Sequence, residues 1–188
     1  KRALIIGSDQ LSSYVDWNDR GSCILFGDGA GAIAIEASEV NNLYGFKMRT
    51  DGSRGNFLNL LNNNDKQDII DGIACRKGSF SNITMNGQEV YKFAVREVPI
   101  IIGNLLQTCN VNASELDWLL LHQANQRILD AVGERLKIKN EKILSNLSNY
   151  GNTSAATVPI VLDEFIRNKK IKKNDLIASS GFGAGLSW

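Results

Sequence analysis

Short apolar runs closed by turn signals constrain this chain more than any other feature. Ala3-Leu4-Ile5-Ile6-Gly7-Ser8, Ser22–Phe26, Ala32–Glu36, Trp118–Leu121 and Leu176–Ser180 are too short for helices and fit buried strands. They also fall far below the ~20 apolar residues that a membrane-spanning helix needs. Between them lie segments whose apolar residues recur at three and four. Ile83–Cys109 carries Val90, Phe93, Ala94, Ile101, Leu105 and Leu106, with Pro99 predicting a bend. Arg127–Leu136 places Ile128, Leu129, Val132 and Leu136 on one face, and Val158–Ile166 admits Pro159 only near its first turn. Lys142–Leu147 reads as strand-like, Gly45–Thr50 and Leu186–Trp188 as strand segments, and Asn62-Asn63-Asn64-Asp65 as a solvated loop within a weakly patterned stretch. Alternating strands and helices predict an α/β fold with a mostly parallel sheet.

The chain has 188 residues, 43% of them hydrophobic and 22% charged, which suits one soluble globular unit burying ~70% of its unfolded surface. A formal net charge of +1 offers no bulk attraction for nucleic acid or an anionic membrane. Cys23, Cys75 and Cys109 are odd in number and form no C-x-x-C pair. They argue against a disulfide framework or a zinc site and for a reducing compartment. The first residue, Lys1, lies directly before a core strand, so the expectation is a chain without a signal peptide and incomplete at its start.

Gly27-Asp28-Gly29-Ala30-Gly31 stands between two apolar runs. Glycines so placed predict a tight connection where backbone passes close to backbone. A phosphate cradle is the rival, but neither G-K-[ST] nor a helix follows.

His122 is the one histidine, and it stands where the Trp118–Leu121 run stops. Asn152 follows Gly151 where a strand-like stretch gives way to a helix. Strand ends beside helix starts are where α/β proteins place their chemistry. A lone histidine at a strand end is more often structural, but the amides of Gln123, Asn125 and Asn152 change its setting. A neutral imidazole and a carboxamide can each donate one N–H to a single oxygen, which suits a developing enolate or oxyanion. No acidic residue adjoins His122 to complete a protease-type triad, and Ser154 lacks the G-x-S-x-G elbow.

Four motifs carry a family resemblance: His122-Gln123-Ala124-Asn125, Asn149-Tyr150-Gly151-Asn152-Thr153-Ser154-Ala155-Ala156, Phe26-Gly27-Asp28-Gly29-Ala30-Gly31-Ala32 and Gly181-Phe182-Gly183-Ala184-Gly185-Leu186-Ser187-Trp188. Together, and in the family's order along the chain, they resemble β-ketoacyl-acyl carrier protein synthase III, a thiolase-fold condensing enzyme. The resemblance implies a thiolase-like α/β fold, mostly its second half and incomplete at both ends. Residues 1–40 would close the N-terminal half, and 41–188 would form the C-terminal half without its last strand. The implied reaction is a decarboxylative condensation of acetyl-CoA with malonyl-acyl carrier protein, which starts fatty-acid synthesis.

By the same resemblance, His122 and Asn152 hydrogen-bond the malonyl thioester oxygen, and the backbone N–H of Ala184 is the oxyanion donor. Gln123, Ala124, Asn125, Gln126 and Arg127 form the carrier-protein docking stretch, with Arg127 facing the carrier's acidic surface. Gly87 and Gln88 lie near the CoA pantetheine, and Lys92 follows where a basic residue is common. Ser13 replaces an arginine that some members set against the CoA adenine. Glu134 and Arg135 stand where the family often has two basic residues. The nucleophilic cysteine lies upstream of the strand matching Ala3–Gly7, so none of the three cysteines here is expected to be it. The family implies no metal or cofactor, CoA thioester and acyl carrier protein as substrates, a homodimer when complete, and no nucleic-acid or membrane partner. The compartment would be bacterial cytoplasm or plastid stroma. Two rivals are a related enzyme using another acyl-CoA starter and a non-catalytic thiolase-fold partner subunit. Both donors being present speaks against the second.

Overall fold

The computed structural model describes residues 1–62, 66–70, 73–76 and 79–188, with the backbone alone in the strands 66–70 and 73–76. The expected loop at Asn62–Asp65 falls outside them except for Asn62, and so does the Cys75 side chain. In chain order the strands are β1 (Arg2–Asp9), β2 (Gly29–Glu36), β3 (Leu58–Asn59), β4 (Lys66–Ile70), β5 (Ile73–Arg76), β6 (Thr84–Met85), β7 (Trp118–Leu121) and β8 (Ile177–Ser180). The helices are α1 (Gly87–Thr108), α2 (Gln126–Leu136), α3 (Leu147–Tyr150) and α4 (Thr157–Arg167).

β1 and β2 run antiparallel, from Arg2 opposite Glu36 to Asp9 opposite Gly29. The glycine tract therefore lies partly inside a strand, and its closeness to other backbone is as expected. A Cβ on Gly7 would overlap the Ala155 carbonyl, and one on Gly31 would come within 2.9 Å of the Pro159 ring. The missing side chains let this strand pair lie flat on the Ser154–Ala156 turn and the start of α4. On the pair's other side chains, Leu4, Ile5, Ile6 and Ile35 are exposed.

Ser22–Phe26 is not the strand its composition predicts. The Asp19 carboxylate accepts from the Gly21 N–H at 2.9 Å and the Ser22 hydroxyl at 2.6 Å. The Ser22 and Cys23 N–H groups return to the Asp19 carbonyl, so local turns consume the donors a strand would offer. Only Phe26 forms a bridge, and its partner is Asn152.

The expectation of a mostly parallel sheet also fails. Among the described pairs only β7 and β8 run parallel; β1–β2, β3–β6 and β4–β5 are antiparallel. The reason is connectivity: β7 reaches β8 through α2, α3 and α4, whereas no helix crosses over between β1 and β2. Lys142–Leu147 gives one parallel bridge, Ile143 to Leu119, and then passes into α3. The two strand segments expected near residues 50 and 188 meet each other. Arg49 and Trp188 exchange N–H···O bonds of 2.7 and 2.9 Å, and Asp51 and Leu186 exchange bonds of 2.8 and 3.0 Å.

The core gathers around β7. One face packs with α1 and α2 through Phe93, Val98, Ile102, Leu119, Leu121, Leu129 and Val132; the other meets α4 through Leu120, Leu144 and Val161. α1 is unbroken across Pro99. Proline has no N–H to offer the Val95 carbonyl four residues back. The Arg135 guanidinium, reaching from the last turn of α2, donates to that oxygen at 2.5 Å. Arg135 thus repairs a helix while staying exposed.

Candidate active site

His122 is placed by β7, the most buried strand among those whose side chains are described. Leu119, Leu120 and Leu121 are at most 2% exposed, and the His122 N–H extends the β7–β8 pairing by donating to the Ser180 carbonyl at 2.8 Å. Its ring meets Phe182 edge to face, with centroids 5.1 Å apart. Burial pushes the imidazole pKa down from 6.5 to about 4. A charged ring would lack solvation there, so at neutral pH the side chain offers one N–H donor and one acceptor nitrogen.

Asn152 is placed by backbone. Gly151 sits at φ 65° and ψ −154°, a region open essentially to glycine alone, and a Cβ there would come within 3.0 Å of the Leu25 carbonyl. The Asn152 N–H donates to Leu25 O, and the Asn152 carbonyl accepts from the Gly27 N–H, each at 2.9 Å. Its side-chain Oδ1 accepts from the Ser154 N–H at 2.9 Å. That bond orients the amide and leaves the Nδ2 hydrogens to donate elsewhere.

Both residues line one cavity of about 560 Å³. Its walls are mainly apolar, including Phe26, Tyr91, Ile128 and Phe182, and Ala184 also faces it. Gly87 contributes where α1 begins, whereas Gln88 lies exposed on the first turn and outside the lining. Neither Cys23 nor Cys109 lines the cavity.

The five residues expected to dock a carrier separate. Ala124 and Asn125 line the cavity, and the Asn125 carboxamide caps α2 by accepting from the Arg127 N–H at 2.9 Å. Gln126 is exposed, bonded to Asp130 and Ser145. Arg127 is exposed, its guanidinium 5.4 Å above the Tyr91 ring that forms part of the cavity wall. Gln123 is the correction: it is fully buried, with its carboxamide spent on Leu121, Leu144 and Asn146, so it cannot touch a carrier surface. Lys92 is exposed and pairs with Glu89 at 2.6 Å; Ser13 is exposed in a short turn.

Pattern reading missed the Leu25–Gly27 grip on Asn152 and the Phe182 ring beside His122. A signal for the first was present, since a Cβ on Gly27 would overlap the Tyr150 carbonyl. Phe182 stood inside a glycine-rich turn, where an aromatic side chain needs a cavity to enter.

The α/β frame thus brings a neutral imidazole and a carboxamide to the wall of one mainly apolar cavity. Solved structures share the frame. The 3-oxoacyl-[acyl-carrier-protein] synthase III of Aquifex aeolicus VF5 superposes with a TM-score of 0.86 at 38% identity over all of this chain and 56% of that one. The FabH of Pseudomonas aeruginosa PAO1 gives 0.85 at 32%, again over 56% of its chain. The fold is that of the thiolase-like condensing enzymes.

Sequence relatives agree. The Beta-ketoacyl-[acyl-carrier-protein] synthase III of Prochlorococcus marinus strain MIT 9515 is 72% identical over the whole chain, and that of Synechococcus sp. strain WH7803 is 60% identical. The chain spans 56% of the length of each. The sequence model of 3-Oxoacyl-[acyl-carrier-protein (ACP)] synthase III matches residues 1–52, and the model of its C terminal part matches residues 106–188. The chain belongs to the 3-oxoacyl-[acyl-carrier-protein] synthase III family.

Proposed function

We propose that the protein carrying this chain is an acyltransferase that starts fatty-acid synthesis by condensing acetyl-CoA with malonyl-acyl carrier protein. Residues 1–40 would end the first thiolase half and 41–188 form most of the second. A cysteine outside this chain takes the acetyl group from CoA. The bond between the malonyl carboxylate and its α-carbon then breaks, CO₂ leaves, and the electron pair moves into the thioester as an enolate. His122 and Asn152 donate their N–H groups to that enolate oxygen. The α-carbon attacks the acyl-cysteine carbonyl, a C–C bond forms, and the thiolate leaves. Ala184, on the cavity wall, is assigned the backbone N–H for the acyl oxyanion.

The observation that carries this reading is the Asn152 amide, whose oxygen is tied to Ser154 so that only its N–H side remains for a ligand. A neutral His122 beside the same cavity supplies the second donor. Arg127 is the carrier-facing cation, since it is exposed and stacked on a wall residue of the cavity. Gly87 and Gln88 mark the pantetheine entrance. The reaction needs no cofactor, the complete protein is a homodimer, and the compartment is bacterial cytoplasm, in keeping with the relatives' hosts.

The test uses a completed enzyme, in which this chain is joined to the remainder of the MIT 9515 relative. His122→Ala and Asn152→Ala should each lower CO₂ release from malonyl-carrier protein on the order of 10²–10³-fold. Transfer of labelled acetyl from acetyl-CoA should persist. The double variant should lose less than the product of the two single losses, because both donors serve one oxygen. Normal CO₂ release in Asn152→Ala would overturn the assignment.

A further inference from the structure

We propose that Gln123 is a positioning residue, whose buried carboxamide sets the separation between the arm carrying His122 and the arm carrying Asn152. The proposal rests on the roles given above to those two residues.

β7 begins to pair in parallel with the segment around Ile143. Leu119 and Ile143 form a bridge, and the Leu144 N–H donates to the Leu119 carbonyl at 3.0 Å. A ladder continuing in this register would carry the Asn146 N–H to the Leu121 carbonyl and the Leu121 N–H to the Leu144 carbonyl. It does not continue. Instead the Gln123 Nε2 donates to Leu121 O at 2.8 Å and Leu144 O at 3.1 Å, while its Oε1 accepts from the Asn146 N–H at 3.2 Å. The side-chain amide stands where a run of paired peptides would otherwise be. The two segments are thus splayed by the width of one carboxamide, which takes up Leu121 O, Leu144 O and the Asn146 N–H.

What diverges at this point is the active site. His122 directly precedes Gln123 in sequence. Asn146 directly precedes α3, which delivers Gly151 and Asn152. Asn146 is itself buried and passes the connection on, its Nδ2 donating to Glu164 of α4 at 2.9 Å. Gln123 is fully buried, and both its donors and its acceptor are engaged. A residue placed only for stability could sit anywhere in the core. This one bridges the last residues shared by both arms before they separate around the cavity.

The test is made in the completed enzyme with Gln123→Met, which keeps length and apolar bulk but supplies neither donor nor acceptor. Misplacing a catalytic group by about 1 Å can cost on the order of 10²-fold. CO₂ release should therefore fall roughly 10–100-fold in kcat, with KM for malonyl-carrier protein and acetyl transfer from acetyl-CoA nearly unchanged. Added to Asn152→Ala, the same change should cost little more, since one of the arms it aligns has lost its donor. Gln123→Leu, which also removes the donors and the acceptor but is shorter and apolar, should show the same split and serves if Gln123→Met does not fold.

A parallel loss in acetyl transfer and CO₂ release would show a merely structural residue and overturn the proposal. A raised KM with kcat intact would return Gln123 to the docking surface and overturn it equally. Amide hydrogen exchange gives a readout free of catalysis. Gln123→Met should speed exchange across 144–152 and leave the body of α4 protected, and unchanged exchange across 144–152 would overturn the proposal. If the unsubstituted enzyme releases no CO₂, the functional reading falls, while the exchange result still decides whether Gln123 couples the arms.

Discussion

His122 ends a strand whose last three residues are at most 2% exposed, whereas Asn152 stands in a turn gripped by the backbone of residues 25–27. The first arm takes its rigidity from burial, with leucines packed on both faces of β7. The second takes its rigidity from hydrogen bonds and a glycine, using a segment more than a hundred residues away in sequence. The two donors proposed to serve one oxygen are thus held by unlike forces. The difference predicts that large-to-small changes disturb one arm and backbone changes the other.

The largest effect is expected at Leu121, which is fully buried and whose carbonyl also anchors Gln123. Leu121→Ala removes core volume that rigid neighbours cannot refill, a loss of about 2–5 kcal/mol. Denaturant titration of the completed enzyme should show it. If Leu121→Ala were nearly neutral, the burial account of the His122 arm would be wrong.

Protonation attacks the same arm. The folded-state pKa of His122 is depressed to about 4 from 6.5. Between those values the unfolded chain binds the proton more readily, so stability falls as pH drops from 6.5 toward 4. The full effect is up to about 3 kcal/mol, and above pH 6.5 it vanishes because both states are neutral. Denaturation midpoints measured from pH 7 to 4.5 should fall more steeply in the unsubstituted enzyme than in His122→Gln. Matching slopes would mean that the imidazole is not desolvated.

The contrast also explains what could be read from the sequence. Trp118–Leu121, His122 and the amphipathic face of Arg127–Leu136 were readable because burial by a strand or a helix face leaves a periodic apolar mark. Asn152 was readable through its motif but its support was not. Leu25 and Phe26 look like a strand by composition and Gly27 like a tight connection, and their actual work is done by main-chain groups that any residue carries. Gln123 was misread for the same reason. A polar residue beside a site suggests a surface, and nothing local reveals that Leu144 and Asn146 come to cover it. Long-range hydrogen bonding leaves little trace in a single sequence.

The Asn152 arm is broken most directly at Gly151. An alanine there must hold φ 65° with ψ −154° and bring its Cβ within 3.0 Å of the Leu25 carbonyl. Such backbone strain costs of order 1–3 kcal/mol. The comparison predicts that Gly151→Ala loses CO₂ release while acetyl transfer persists, since the donor shifts and the His122 arm stays in place. Crystals of the variant showing Asn152 unmoved, with activity lost, would contradict it.

The smallest effect is expected at Asp9, one contact behind the cavity wall. This residue ends β1, two positions after Gly7, so both project from the same side of the strand. That side meets Ala155: a Cβ on Gly7 would overlap the Ala155 carbonyl, while the Asp9 carboxylate accepts from the Ala155 N–H at 3.0 Å. Ala155 belongs to the turn that begins at Ser154, whose own N–H fixes the Asn152 amide. Asp9 therefore supplies an acceptor to an N–H at the helix start, and losing such a cap costs about 1 kcal/mol. Asp9→Ala should lower stability by that amount and CO₂ release by a few fold at most. Asp9→Asn keeps an oxygen in reach of Ala155 and should recover most of both. The Leu121→Ala deficit should be the same with or without Asp9, because the two changes act on separate arms and share no partner. A coupling between them of more than about 0.5 kcal/mol in a double-mutant cycle would show that the arms are linked by more than the Gln123 carboxamide.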